Sequence, residues 1–126
     1  MTNPFGAVGT AKYVLLTTFK KDGTPVGTPL WAGLDGDRLI VWTEANSWKV
    51  KRIRRNPAVT MQPCDLRGKP NGDVVDGTAT VLDEAGSDHA REVIMKKYGL
   101  IGWLTVKGSG LRRGKSGTIG IAIAAK

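Results

Sequence analysis

Two Asp-Gly steps, Asp22-Gly23 and Asp35-Gly36, constrain this chain more than any other feature. Asp-Gly supplies the positive φ that a tight hairpin turn needs, so each step joins antiparallel neighbours. The runs on either side are rich in β-formers: Lys12–Phe19, with Tyr13, Val14, Leu15, Leu16, Thr17 and Thr18; Pro25–Leu34; and Arg38–Glu44, with Leu39, Ile40, Val41 and Trp42. Three strands in a meander therefore begin the fold.

After Glu44 the period changes. Ser47 can cap a helix starting at Trp48, Val50 and Ile53 give it a narrow apolar face, and Pro57 lies just past its end. Ala58–Pro63 reads as a fourth strand. Asp73–Leu82, with Val75, Gly77, Ala79 and Val81 alternating, reads as a fifth. Ser87–Tyr98 carries a helical stripe of Ala90, Val93, Ile94 and Tyr98, and Gly99 can end it with positive φ. Ile101–Lys115 reads as irregular and Gly-rich, and Gly117–Ala125 as a last strand. Short antiparallel strands with one buried face close into barrels, which removes their exposed edges. The expectation is a mainly β, six-stranded antiparallel barrel with two peripheral helices, in one domain over residues 1–126.

Composition removes most chemistry. With one cysteine, Cys64, the chain has no internal disulfide and no cysteine-built metal site; with one histidine, His89, it has no His-rich centre. His89 falls on the polar side of the second helix and Cys64 at a strand end, positions that suit a solvated ring and a small packing residue. Gly114-Lys115-Ser116 resembles the end of a phosphate-binding P-loop, but Ser109 stands where the motif needs glycine and a strand follows where it needs a helix. That basic stretch is expected to be a mobile arm. If the chain is an enzyme, a cofactor brings the reactivity. No apolar run approaches the roughly 20 residues of a membrane span, and the first residues lack a signal pattern, so the expectation is a cytoplasmic protein.

The net charge is +8, and it is clustered. Lys49, Lys51, Arg52, Arg54 and Arg55 lie between Ala45 and Asn56 without an acid, and seven more cations follow Glu92, again without one. Such a field attracts polyanions. Thr43, Ser47 and Lys49 surround the start of the first helix, where unpaired N–H groups and the dipole favour an anion. A cation in a first helical turn opposes that dipole, and a bound anion would offset the conflict. The plainer alternative makes Ser47 a cap and Lys49 a solvated side chain. Trp31, Trp42 and Trp48 flank this segment and could stack on a planar ring or simply pack.

Tyr13-Val14-Leu15-Leu16-Thr17-Thr18, Asp22-Gly23-Thr24-Pro25, Thr28-Pro29-Leu30-Trp31, Ser47-Trp48-Lys49-Val50 and Ile53-Arg54-Arg55-Asn56-Pro57 together resemble the pyridoxamine-phosphate-oxidase-like split β-barrels. Within these the sequence is most similar to the branch of mycobacteria and related actinobacteria that uses the deazaflavin coenzyme F420. The resemblance covers nearly the whole chain. It implies a split β-barrel homodimer with cofactor sites at the subunit interface and no universal catalytic side chain. It places Val26, Gly27, Thr28, Pro29 and Leu30 along the cofactor ring. Trp42, Thr43, Ser47, Trp48 and Lys49, with Arg54, match phosphate and tail contacts, and the loop Asp65, Leu66, Arg67 and Gly68 completes the site, from the second subunit.

The function so implied is hydride transfer from reduced coenzyme F420 to a conjugated small molecule. FMN uses a similar cradle and is the alternative cofactor; the acidic F420 tail suits the twelve clustered cations better. A deazaflavin carrier without turnover is a second reading. A nucleic-acid-binding barrel is a third, but no sheet face interleaves exposed aromatics with cations as such readers do.

Overall fold

The computed structural model describes residues 5–113 and 118–125. Seven strands form one antiparallel sheet: β1 Tyr13–Phe19, β2 Pro25–Leu30, β3 Ala32–Asp35, β4 Arg38–Glu44, β5 Ala58–Cys64, β6 Val75–Val81 and β7 Thr118–Ala125, in the spatial order β2-β1-β5-β6-β7-β4-β3. Both Asp-Gly turns form as expected, with φ of 88° at Gly23 and 64° at Gly36.

The expected count of six strands is corrected to seven because the second one divides at Trp31. Val14 pairs with Leu30 on one side of the break, and Ala32 pairs with Val41 on the other. The chain leaves β1 and joins β4 within a single residue. β2 and β3 are therefore the two edges of the sheet and also neighbours in sequence. A flat sheet of seven strands would hold its edges roughly 29 Å apart, whereas one intervening residue spans at most about 7 Å. The sheet must curl until its edges meet. It is an open curled half-barrel, not a closed barrel: no ladder joins β2 to β3 among the described residues.

The inner face holds the main core. Val14 and Leu16, Leu39 and Val41, Val59 and Met61, Ala79, and Ile121 and Ile123 converge there, fully or almost fully buried. Phe5 and Val8 close one end through a short helix, α1 Ala7–Thr10, which sequence reasoning missed. Val50 and Ile53 of α2 Trp48–Arg55 add to the same cluster, as their spacing predicts. β7 is buried on both faces because a third helix, α3 Glu84–Arg113, covers its outer side, where Ala90 meets Ile40 and Ala122.

Two further expectations are corrected here. The last helix begins at Glu84, not Ser87, because the Asp83 carboxylate accepts the Gly86 N–H at 2.8 Å. Gly99 does take a positive φ of 63°, but the chain resumes helical turns to Arg113. Ile101–Lys115 was expected to be irregular; its glycines each cost only about 1 kcal/mol in a helix, less than its apolar spacing supports. Of the basic stretch expected to be a mobile arm, residues 107–113 are helical instead, and Gly114-Lys115-Ser116 and Gly117 lie outside the described residues.

α3 reaches β7 through a backbone approach that admits no side chain. A Cβ on Gly120 would stand 2.5 Å from the Ala90 Cβ, and the Gly120 N–H donates to the Ser87 hydroxyl at 2.9 Å. Neither Cβ can swing aside, so Gly120→Ala must push α3 off the sheet. A destabilisation of about 1–3 kcal/mol is expected, measured by denaturant unfolding with unchanged slope.

Candidate functional site

The corner between β4 and α2 is short of acceptors. The Ser47 N–H donates to the Glu44 carbonyl at 3.2 Å, and Ser47 takes the extended conformation of an N-cap. Yet its hydroxyl makes no capping bond. Ser47 Oγ and Trp42 Nε1 are buried, and neither has a hydrogen-bond partner among the described residues. Buried polar atoms are nearly always paired, so two orphans on one β4–α2 segment need a reason. Lys49 adds to the anomaly. No acid stands in the first turn of α2, and burial pulls the Lys49 ammonium below its ordinary value, against the pull of Glu44 and with help from Arg52.

The other cations of α2 have different roles. Arg52 donates to the Thr18 hydroxyl at 3.5 Å and Arg55 to the Phe19 carbonyl at 2.8 Å, which ties the helix to the end of β1. Lys51 sits 4.5 Å from the centre of the exposed Trp48 ring. Lys49 and Arg52 are three apart and so share the face turned toward β1. Phe19 pairs with Pro25, so this face also borders the start of β2.

β2 offers a smooth outer surface. Gly27 lies over Leu15 so closely that a Cβ would stand 3.0 Å from Leu15 Cδ1. The 65–69 turn packs on the same strip in the same protomer: a Cβ on Gly68 would be 3.5 Å from Pro29 Cγ and 3.8 Å from Leu15 Cδ1. Asp65 builds that turn by accepting the Arg67 and Lys69 N–H groups, each at 2.9 Å, and leaves Leu66 exposed at 70%. The structure thus brings Val26–Leu30, Asp65–Gly68 and the Lys49 face of α2 around one hairpin. It does not bring Arg54 there. Arg54 lines two cavities on the opposite side of α2, one against Ala79–Asp83 and one against Ser87, Arg91 and Thr118.

Sequence reasoning missed a second group of residues. It assigned Tyr98 to an apolar stripe, but its ring stacks on Trp31 at 4.3 Å and 9°, and its hydroxyl takes the Ala32 N–H at 3.2 Å and reaches the Lys12 carbonyl at 2.7 Å. Lys97 beside it donates to the carbonyls of Ala11 and Ala32. The available signal was two cations and a tyrosine just before a helix-breaking glycine. His89 is exposed, as expected, but its Nε2 lies 3.0 Å from Asp35, which Arg38 also contacts at 2.9 Å. His89 and Asp35 line a cavity of about 640 Å³ together with Glu92, Lys96 and Lys97. In it His89 stands between two acids, Asp35 at 3.0 Å and Glu92 at 4.0 Å. Cys64 is buried, and burial with the nearby Asp65 pushes its thiol up, which suits packing and not nucleophilic attack.

A curled antiparallel half-barrel with short helices closing its core is the architecture of the split-barrel proteins. The chain belongs to the pyridoxamine 5'-phosphate oxidase family, which it matches over residues 7–119. Among solved structures it is similar to an F420 reductase, with 18% identity, a TM-score of 0.62, and coverage of 100% of this chain and 96% of that one. A FAD-binding protein of Mesorhizobium loti gives 23%, 0.61, 95% and 86%, and a conserved hypothetical protein of Mycobacterium tuberculosis 21%, 0.69, 94% and 76%. At these identities the likeness is one of fold. No curated protein matches the chain. No helix among the described residues is long and apolar enough to cross a membrane.

The Lys97–Tyr98 pair predicts a stability profile with two opposite slopes. Burial pushes Lys97 down from 10.5 to about 8, so the unfolded chain holds this proton more tightly and stability rises with pH between those values. Burial pushes Tyr98 up from 10.0 to about 12, so the unfolded chain loses its proton first and stability falls over that range. Denaturant midpoints at pH about 7, about 10 and about 11.5 should rise and then fall. Lys97→Met should flatten the rise, and Tyr98→Phe the fall.

Proposed function

We propose that this chain is an oxidoreductase that binds coenzyme F420 and reduces a conjugated small molecule. The observation that carries the reading is the β4–α2 corner. Two buried polar atoms without partners and a half-buried ammonium at a helix start form a place that lacks an anion. A phosphate there would accept from Ser47 and from the free N–H groups of α2 and would balance Lys49. Trp42, Thr43 and Trp48 border this position in sequence. The outer strip of β2 supports the rest. Gly27 adds no side chain beside Leu15, and Gly68 packs close on Pro29, so the outer face of Val26–Leu30 has the low relief that a planar ring needs.

Bound coenzyme F420 supplies a two-electron hydride donor. The residues of the chain anchor, orient and exclude water; none is assigned a covalent step. The F420 reductase among the similar structures favours the deazaflavin, and the FAD-binding protein keeps FMN as the alternative. The exposed cations Lys51 and Arg67 favour the longer acidic tail of F420. Exposed apolar groups, Trp48 at 68% and Leu66 at 70%, support a homodimer whose second subunit covers the site.

Lys49→Ala tests the anchor. Cofactor affinity should fall by about 1.5–3 kcal/mol, the range for a hydrogen bond to a charged group. Stability of the free protein should hold or rise, since a partly desolvated charge is removed. Unchanged affinity would overturn the assignment. Tryptophan-fluorescence titrations at low and high salt then choose the cofactor. Coenzyme F420 should bind more tightly than FMN at low salt, and its advantage should shrink as exposed tail contacts are screened. Equal affinities at low salt move the protein to FMN. Cofactor oxidation with enones and quinones separates an enzyme from a carrier.

A further inference from the structure

A second cavity, of about 410 Å³, lies where the N-terminal end of β1, the Trp31 bend and α3 meet; Thr10, Lys12, Tyr13, Trp31, Lys97 and Tyr98 line it. Three aromatic rings, two ammonium groups and three hydroxyls line it, and no acid does among the described residues. That combination is chemically selective. We infer that this cavity binds a planar aromatic carboxylate, its ring against the Trp31–Tyr98 wall and its carboxylate toward Lys12 and Lys97. The binding stands on the cavity alone; its further role, as the site of the hydride acceptor, rests on the function proposed above.

The wall is fixed in place. Trp31 and Tyr98 are parallel within 9° at 4.3 Å, so nothing enters between them, and their free edges and outer surface face the cavity. The Tyr98 hydroxyl is held by the backbone at Lys12 and Ala32, which stops the ring from turning away. Both rings are only half-buried, although such surface is more stable covered by another flat apolar group. The cations flank the rings: Lys12 Nζ is 5.8 Å from the Tyr13 centroid, and Lys97 Nζ is 5.2 Å from that of Tyr98. Besides that ring, Lys97 meets the carbonyls of Ala11 and Ala32, and no carboxylate pairs with it among the described residues. An anion would complete both cations without displacing an existing ion pair. The neighbouring cavity beside His89 differs here, because Asp35 and Glu92 line it and would repel an anion.

Position links this cavity to the outer face of β2. In the β1–β2 register Leu15 stands opposite Pro29 and Val14 opposite Leu30, so Tyr13 and Trp31 occupy the next place along. Gly27, Pro29 and Trp31 are every second residue and continue one row. A flat acid against Trp31 therefore lies at the end of the strip on which the cofactor ring is proposed to rest. The cavity volume is at the lower end of small-ligand sites, which suits one mono- or bicyclic acid.

The probe is 2-naphthoate, with neutral 2-naphthamide as its isostere, titrated into the purified protein by calorimetry and tryptophan fluorescence. Naphthoate should bind at least about tenfold more tightly than the amide, as two partly exposed charge contacts allow. Lys12→Gln, on an exposed side chain, should weaken naphthoate about threefold and leave the amide unchanged. Trp31→Leu should weaken both ligands about tenfold or more and abolish most of the fluorescence change. Circular dichroism checks the fold of each variant, and Lys12→Gln keeps the test valid if Trp31→Leu fails to fold. Equal affinity for acid and amide, or naphthoate binding unmoved by Lys12→Gln, overturns the site. Coenzyme F420 is titrated into the same variants and should bind as it does to wild type. If naphthoate behaves as expected while no cofactor binds, the proposed function falls and the anion site stands. If the cofactor binds and naphthoate does not, the site falls and the proposed function stands. Naphthoate displaced stoichiometrically by the cofactor also overturns the site, because it then occupies the β4–α2 corner.

Discussion

One residue, Trp31, separates the two edges of a seven-stranded sheet, and the rest of the architecture follows from that link. Edges joined so tightly force the sheet to curl, and the curl creates an inside for Val14, Leu16, Leu39, Val41, Ile121 and Ile123 to fill. The link itself is braced from outside. Tyr98 stacks on Trp31 and takes the Ala32 N–H, while Lys97 holds the carbonyls on either side of the gap, at Ala11 and Ala32. α3 is thus more than a cover for β7. The turn of α3 just before Gly99 pins the point where the sheet changes edge.

The cations of α2 show how a fold sorts a basic stretch into unlike roles. Arg52 and Arg55 are structural, since they satisfy acceptors at the end of β1. Lys51 rests on an indole, and Arg54 faces β6 and α3. Lys49 is left with burial acting against its charge and two orphaned polar atoms on the same segment. A segment of this kind is poorly satisfied on its own account. The binding reading rests on that local deficit, not on net charge, because Lys51, Arg52 and Arg55 of the same helix are already engaged.

The β1–β2 hairpin then stands between two unlike neighbours. At its turn end lie α2 and Lys49. At its open end lies an aromatic wall with two ammonium groups. Between them runs a strip made low by Gly27, Pro29 and Gly68. In the proposed function this strip is the bed for an extended ligand, and the rigid strands supply its position.

The sequence by itself determined the local elements. Asp-Gly fixed both hairpins because only a residue free to take positive φ turns that tightly. The spacing of Val50 and Ile53 set the buried face of α2, and the alternation in β6 set its register toward the core. The start of α2 after Ser47 was legible too, because serine favours the N-cap position. Tertiary structure alone decided the rest. Nothing in Pro25–Leu34 marks Trp31 as the break; that depends on β4 offering a second partner, which is a long-range fact. Arg54 and Arg52 look alike in sequence, and only packing turns one toward β6 and the other toward β1. The helical run beyond Gly99 went unread because glycines weigh heavily in a short window and little against a long apolar spacing. Lys97 and Tyr98 became a clamp and a wall only when α3 met residues more than sixty positions away. Local chemistry is written in neighbours along the chain, whereas a site is made by neighbours in space.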